Sequence, residues 1–239
     1  MTVELVALPN PRGEPYAALA YGARRPRGIG LAIAHGYSSS KHNLDALCSF
    51  LASHGFASVS VDLPGHKLGG SGGRLNGPDD LVGALDAAAA RLRREHAIVY
   101  AAGHSLGAST ALVAAGRDVR YAGAIAIATG LERPAALRAL GGGAVVDLRA
   151  RYVDGATLPE IAEVMEPIVV GSLPGLAGRP TLLVAADRDA LVSRRCAEAL
   201  AAAVPPPVEL VFVESDHTSA AERSREAVLA WLNARHPRA

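Results

Sequence analysis

The pentapeptide Gly103-His104-Ser105-Leu106-Gly107 concentrates the chemistry of this chain. On its own, G-x-S-x-G is a weak signal, because glycine-flanked serines also serve as plain helix caps. Its setting makes it specific. An apolar run, Ile98-Val99-Tyr100-Ala101-Ala102, precedes it, and a helical stretch of small and apolar residues follows. A strand that turns sharply into a helix at a serine thrusts the hydroxyl outward. The hydroxyl then also lies at a helix N-terminus, whose dipole favours developing negative charge. Ser105 therefore reads as a nucleophile. Such a hydroxyl is weak at neutral pH unless a base takes its proton and an acid holds the base in its useful tautomer. A tetrahedral intermediate needs converging N–H donors, and the Leu106 N–H, next after the nucleophile, is one.

The elements that must position these groups follow an alternating pattern. Val3 to Leu8 and Tyr16 to Tyr21 read as two strands joined through the turn cluster Pro9-Asn10-Pro11-Arg12-Gly13. Gly30 to Ala34 is apolar on both faces, as a buried central strand is. Leu44 to Leu51 has helical spacing, with Gly55 as its C-terminal stop. Phe56 to Val61 reads as a strand, and Gly69 to Gly77 as a loop. Pro78, Asp79 and Asp80 open a helix to about Arg94. Ile98 to Ala102 is a strand, Ser105 to Ala115 a helix closed by Gly116, and Tyr121 to Ala128 a strand. Residues 131–178 interrupt this rhythm with Gly141-Gly142-Gly143 and short helical pieces, Thr157 and Glu160 having capping-box spacing. The alternation resumes with strands at Thr181 to Ala185 and Val208 to Val213. The helices of this part run from Ser193 to Ala203 and from Ser219 to about Asn233. Strands alternating with helices predict a mainly parallel sheet covered on both faces.

With the motif at a strand-to-helix turn inside this pattern, the chain resembles the α/β-hydrolase superfamily over nearly its whole length. The resemblance implies an α/β-hydrolase core formed by residues 1–130 and 179–239, with residues 131–178 as a short lid insert. It also implies the chain order nucleophile, acid, histidine. Among the eight histidines only His217 and His236 lie beyond Ser105. His217, between the last strand and the last helix, is the implied base. Asp187 and Asp189 both follow the Thr181 to Ala185 strand. Asp189 with Leu191-Val192 fits the family register, although Ala186 stands where relatives often have glycine. His35-Gly36-Tyr37 resembles the family's oxyanion turn and nominates the Tyr37 N–H as the second donor. Ser38, Ser39 and Ser40 read as caps of the following helix, the alternative being a lining of the pocket, while His35 and His104 read as structural and His66 has no assigned role. Val145, Val146, Val164, Met165, Ile168 and Val169 offer apolar surface in the insert. Val164, Met165 and Ile168 are the candidates for an acyl pocket, the alternative being the insert's own small core.

The implied activity is hydrolysis of carboxylic esters with short to medium acyl chains through an acyl-enzyme. Thioesters, amides or peptides and C–C bonds use the same three groups, and a non-catalytic binding protein on this fold is the competing class. The net charge is +1 and no basic stripe marks nucleic-acid binding. Cys48 and Cys196 are far apart and read as buried free thiols. No metal or other cofactor is expected. Met1-Thr2-Val3-Glu4 has neither a basic leader nor an apolar signal core, and no apolar run reaches membrane-spanning length. The expected setting is cytoplasmic, with a small-molecule ester as partner and the oligomeric state left open.

Overall fold

The computed structural model describes residues 1–11, 13–132 and 148–238. Eight strands form one sheet: β1 (Thr2–Leu8), β2 (Tyr16–Gly22), β3 (Ile29–Ala34), β4 (Ala57–Val61), β5 (Ile98–His104), β6 (Ala124–Ile127), β7 (Thr181–Ala186) and β8 (Val208–Val213). Their order is β1-β2-β4-β3-β5-β6-β7-β8. β1 and β2 form an antiparallel hairpin whose second strand pairs antiparallel with β4, and every other pairing is parallel.

The described helices are α1 (Asp45–Ser53), α2 (Pro78–Leu92), α3 (Leu106–Arg117), α4 (Leu158–Ser172), α5 (Arg194–Ala203), α6 (Ala220–Arg223) and α7 (Arg225–Arg235). Two-residue alternation along the strands divides the apolar side chains between two cores. Ala32, Ala34, Val99, Ala101, Ala124 and Ala126 face α2, α3, α4 and α5. Leu31, Ile33, Tyr100, Ile125, Ile127 and Leu182 face α1, α6 and α7. The first set is small, and α3 answers it with Ala108, Ala111 and Ala115, all buried. Small residues on both surfaces let this helix lie close to the sheet.

Most predicted elements stand where the pattern placed them, and the differences have physical causes. The strand expected over Tyr121 to Ala128 is only Ala124–Ile127, because Gly123 lies against the Pro180 carbonyl and the chain joins the sheet just after it. Gly116 does not close α3, which continues through Arg117. A Cβ on Gly116 would overlap the Ser172 carbonyl, so glycine there permits close approach of another segment. The last helix is broken at Ser224 into α6 and α7. Ser40 precedes a short 3₁₀ turn but makes no side-chain capping bond, and the Ser39 hydroxyl oxygen accepts from the Asn43 side-chain amide at 2.6 Å. Among the described residues of 131–178 the longest helix is the fifteen-residue α4, with the capping box at Thr157 and Glu160 formed and a short 3₁₀ turn, Leu173–Leu176, after it. The apolar face of α4, Ile161, Met165 and Val169, is buried in the core that α3 shares. The segment before α4 is tied to the loop after β4 through Leu75 N–H to Asp154 O and Ala156 N–H to Leu75 O, both 2.8 Å. Val145, Val146 and Gly141-Gly142-Gly143 lie outside the described residues. No described helix is long and apolar enough to cross a membrane.

Candidate active site

Ser105 sits between β5 and α3 with φ 55° and ψ −113°, a left-handed conformation that a residue with a side chain disfavours. The flanking glycines explain how the turn is built. A Cβ on Gly103 would overlap the Gly107 backbone, and one on Gly107 would overlap the Ala34 carbonyl. Chain segments that side chains would hold apart therefore meet at van der Waals contact. The Ser105 carbonyl accepts N–H groups from the first turn of α3, Ala108 at 3.0 Å and Ser109 at 3.1 Å.

His217 and Asp189 arrive from the carboxyl ends of β8 and β7, on the same sheet edge as Ser105. The distance from His217 Nε2 to Ser105 Oγ is 2.9 Å, and from His217 Nδ1 to Asp189 Oδ2 it is 2.7 Å. The other carboxylate oxygen of Asp189 accepts N–H groups from Leu191 at 2.7 Å and Val192 at 2.8 Å. Burial pushes this carboxyl up, but the hydrogen bonds from His217, Val192 and Leu191 outweigh it and hold Asp189 below the usual carboxylate range. An ionised Asp189 fixes the proton on Nδ1 and leaves the Nε2 lone pair facing the serine hydroxyl. The Asp189 side chain is 1% exposed and the His217 side chain 14%, so the histidine alone of this pair meets solvent.

Asp187 does a different job. Its Oδ1 accepts the Ser215 N–H at 2.9 Å, stitching the loop after β7 to the loop that carries His217. His104 supports the same loop from the other side, donating Nε2–H to the His217 carbonyl at 2.7 Å. His236 lies elsewhere, with Nε2 at 2.9 Å from the Tyr100 hydroxyl.

The turn after β3, which carries Tyr37, packs against the nucleophile through Gly36. Gly36 lies against His104 and Ser105, with a Cβ there meeting the Ser105 Cβ at 3.3 Å. His35 is buried and neutral, pushed down to about 3 by burial with His66 adding to the effect. Its Nδ1–H donates to the Gly36 carbonyl at 2.8 Å, and its Nε2 accepts the Leu63 N–H at 3.0 Å. The Tyr37 hydroxyl donates to the Ala156 carbonyl at 3.2 Å and so ties the turn to the insert. Leu106, the other N–H donor candidate, is the first residue of α3.

A cavity of about 30 Å³ lies between α3 and α4, walled by Leu106, Ser109, Thr129, Leu131, Ile161 and Met165 among others. It has room for about two water-sized groups. Of the described apolar residues expected in the insert, Met165 and Val169 line it. Val164 is 48% exposed and faces outward, since adjacent helical residues point about 100° apart. Ile168 is half-buried against the core and does not line the cavity. Composition did not reveal the hydroxyl pair in the wall, Ser109 and Thr129, whose oxygens are 2.9 Å apart. Nor did it reveal the buried charges under the turn, Lys41 and Asp62. A charge at the end of a buried strand, Val61-Asp62, was the available signal for the second. Among the described residues, no group of three or more His, Cys, Asp or Glu could hold a metal ion.

Residues 25–163 match the family model described as serine aminopeptidase, S33. No curated protein sequence matches the chain. Among solved structures, the esterase domain of a Rhodothermus marinus protein superposes with a TM-score of 0.73 at 22% identity, covering 98% of this chain and 99% of the other. Est1E from Butyrivibrio proteoclasticus gives 0.72 at 18% identity, covering 95% and 97%. A thermophilic esterase from Thermogutta terrifontis gives 0.70 at 20% identity, covering 99% and 100%. At these identities the likeness speaks for the fold, an α/β-hydrolase architecture with an eight-stranded sheet.

Proposed function

The chain belongs to the serine aminopeptidase S33 family of α/β-hydrolases, and from that premise we propose that it hydrolyses carboxylic esters of short to medium acyl chains. The observation that carries the reading is the relay Ser105–His217–Asp189, with heavy-atom separations of 2.9 and 2.7 Å. In this reading Ser105 Oγ attacks the ester carbonyl while His217 Nε2 takes its proton. Asp189, kept ionised, stabilises the imidazolium that forms. The carbonyl electron pair moves onto oxygen, where the N–H groups of Leu106 and Tyr37 receive it. Collapse expels the alcohol, which takes the proton from His217. Water, deprotonated by the same histidine, then releases the acid and frees Ser105.

The small cavity beside Leu106 supports a limited acyl group. The neighbouring structures named as esterases favour an ester over other leaving groups. One feature favours a second reading, hydrolysis of an aminoacyl amide. Glu166 lines the same cavity, and a carboxylate there suits a substrate with a free ammonium. Matched p-nitrophenyl esters, thioesters and p-nitroanilides, with and without an α-amino group, separate these readings by their specificity constants. The expected order puts neutral short esters first, and preference for aminoacyl anilides would replace the leading reading with the second. Ser105→Ala should lose turnover by on the order of a million-fold. It should also lose labelling by a fluorophosphonate, while the native protein labels. A native protein that neither labels nor turns over any ester would return the chain to the binding class.

A further inference from the structure

Beneath the turn that carries Tyr37 lies an ion pair withdrawn from water. The Asp62 side chain is 0% exposed and the Lys41 side chain 5%, with Lys41 Nζ 2.6 Å from Asp62 Oδ2. Desolvating two ions costs about as much as their attraction returns, so such a pair does little for net stability. Its geometry indicates what it does instead. Lys41 closes the turn that begins at His35, and its polar groups go to the end of β4. Its N–H donates to Asp62 Oδ1 at 2.7 Å, its Nζ to Oδ2, and its carbonyl accepts from Ser60 Oγ at 3.0 Å. Asp62 Oδ2 also accepts the Gly70 N–H at 2.6 Å, and a side chain on Gly69 would overlap the carboxylate. At the other end of the turn the Leu63 N–H donates to His35 Nε2. Residues 62 and 63 thus hold both ends of the turn 35–41. Between these anchors Ser38 has φ 54°, a conformation that persists in a non-glycine residue only where its surroundings impose it.

We propose that the buried Lys41–Asp62 pair is a positioning device that holds the turn 35–41 so that the Tyr37 N–H meets the oxyanion. The proposal rests on the reading of Ser105 as nucleophile and of Tyr37 as oxyanion donor. Removing one partner strands a buried charge and lowers stability in either case, but only a positioning pair also weakens transition-state binding selectively.

The test uses Lys41→Met and the charge-free pair Lys41→Met/Asp62→Asn. Each is assayed with the best ester and with an aryl trifluoromethyl ketone. The ketone accepts Ser105 Oγ at its carbonyl carbon, sends the serine proton to His217 and leaves a hemiketal oxyanion in the site. The matching secondary alcohol, which cannot form the adduct, is the control ligand. We expect kcat to fall about 10²-fold, the loss typical of one oxyanion donor, with KM little changed. Ketone affinity should fall by the same factor and alcohol affinity should hold. Should either variant fail to fold, Ser60→Ala removes only the bond to the Lys41 carbonyl and should show the same selective pattern in smaller measure. Variants that melt lower but keep kcat and ketone affinity would overturn the proposal. Native protein that neither cleaves an ester nor captures the ketone would overturn the nucleophile reading beneath it, and the proposal with it.

Discussion

Two aspartates two positions apart take different parts, and hydrogen-bond geometry separates them. Asp189 holds both its oxygens inward, one on His217 Nδ1 and one on the N–H groups of Leu191 and Val192. Asp187 spends an oxygen on the Ser215 N–H. Asp189→Asn should therefore present an amide to His217, stabilise the wrong tautomer and lower kcat by roughly ten-thousand-fold. Asp187→Asn keeps an oxygen for Ser215 and should lose far less. The ratio of the two kcat values on one ester measures the difference, and the reverse ranking would move the acid to Asp187. The register with Leu191-Val192 was legible through the family resemblance, and the N–H groups that bind Asp189 belong to those same two residues.

At the scale of the element, the turn between β5 and α3 stores strain. Its left-handed serine persists because Gly103 and Gly107 let α3 and the end of β3 close around it. A non-glycine residue held in a sparsely populated region costs about 1–3 kcal/mol. Glycine relieves that cost but loses roughly 0.5–1 kcal/mol through its freer unfolded chain. Ser105→Gly should thus be more stable than Ser105→Ala by about 1 kcal/mol, both being inactive. Urea unfolding of the two proteins measures this directly. An alanine variant as stable as the glycine variant would mean that the turn carries no stored strain. The motif and its flanking strand made this element readable, since the residues that set its backbone lie within one short run, while the distant segments that close on it, Ala34 to Gly36 and Ile127, were not.

For the whole molecule, the cavity proposed to take the acyl group is shaped by how α4 lies on α3 and the end of β6. Met165 is at once a core residue, 2% exposed, and a wall of the cavity. Met165 thus packs into the main core rather than a separate core of the insert, and its place in an acyl pocket stands as a proposal. Met165→Ala should lower stability by about 2–5 kcal/mol, as buried methionine truncations do. The same change should lengthen the preferred acyl chain, each further buried methylene contributing about 0.8 kcal/mol. Specificity constants across an ester series, set beside melting temperatures, test both halves. A lower melting temperature with an unmoved optimum would remove Met165 from the acyl pocket. A native optimum at long chains would overturn the small-pocket reading.

The amino-acid order alone determined the alternation of strands and helices, and with it the mainly parallel sheet and the serine at a strand-to-helix turn. These depend on periodicity and on glycine placement, both of which act over a few residues. It also placed Asp189 and His217 after strands that end on the same side as Ser105. Only the tertiary structure decided which groups touch. Lys41 and Asp62 are 21 positions apart; the strand before Asp62 hints that this charge is buried, but nothing local names Lys41 as its partner. Gly116 looked like a helix stop because local rules cannot see the Ser172 carbonyl packed against it. The face of α4 that meets the core separates Met165 from Val164, one residue away. Burial, ion pairing and close backbone approach arise between segments distant along the chain, so they become visible only once those segments are packed.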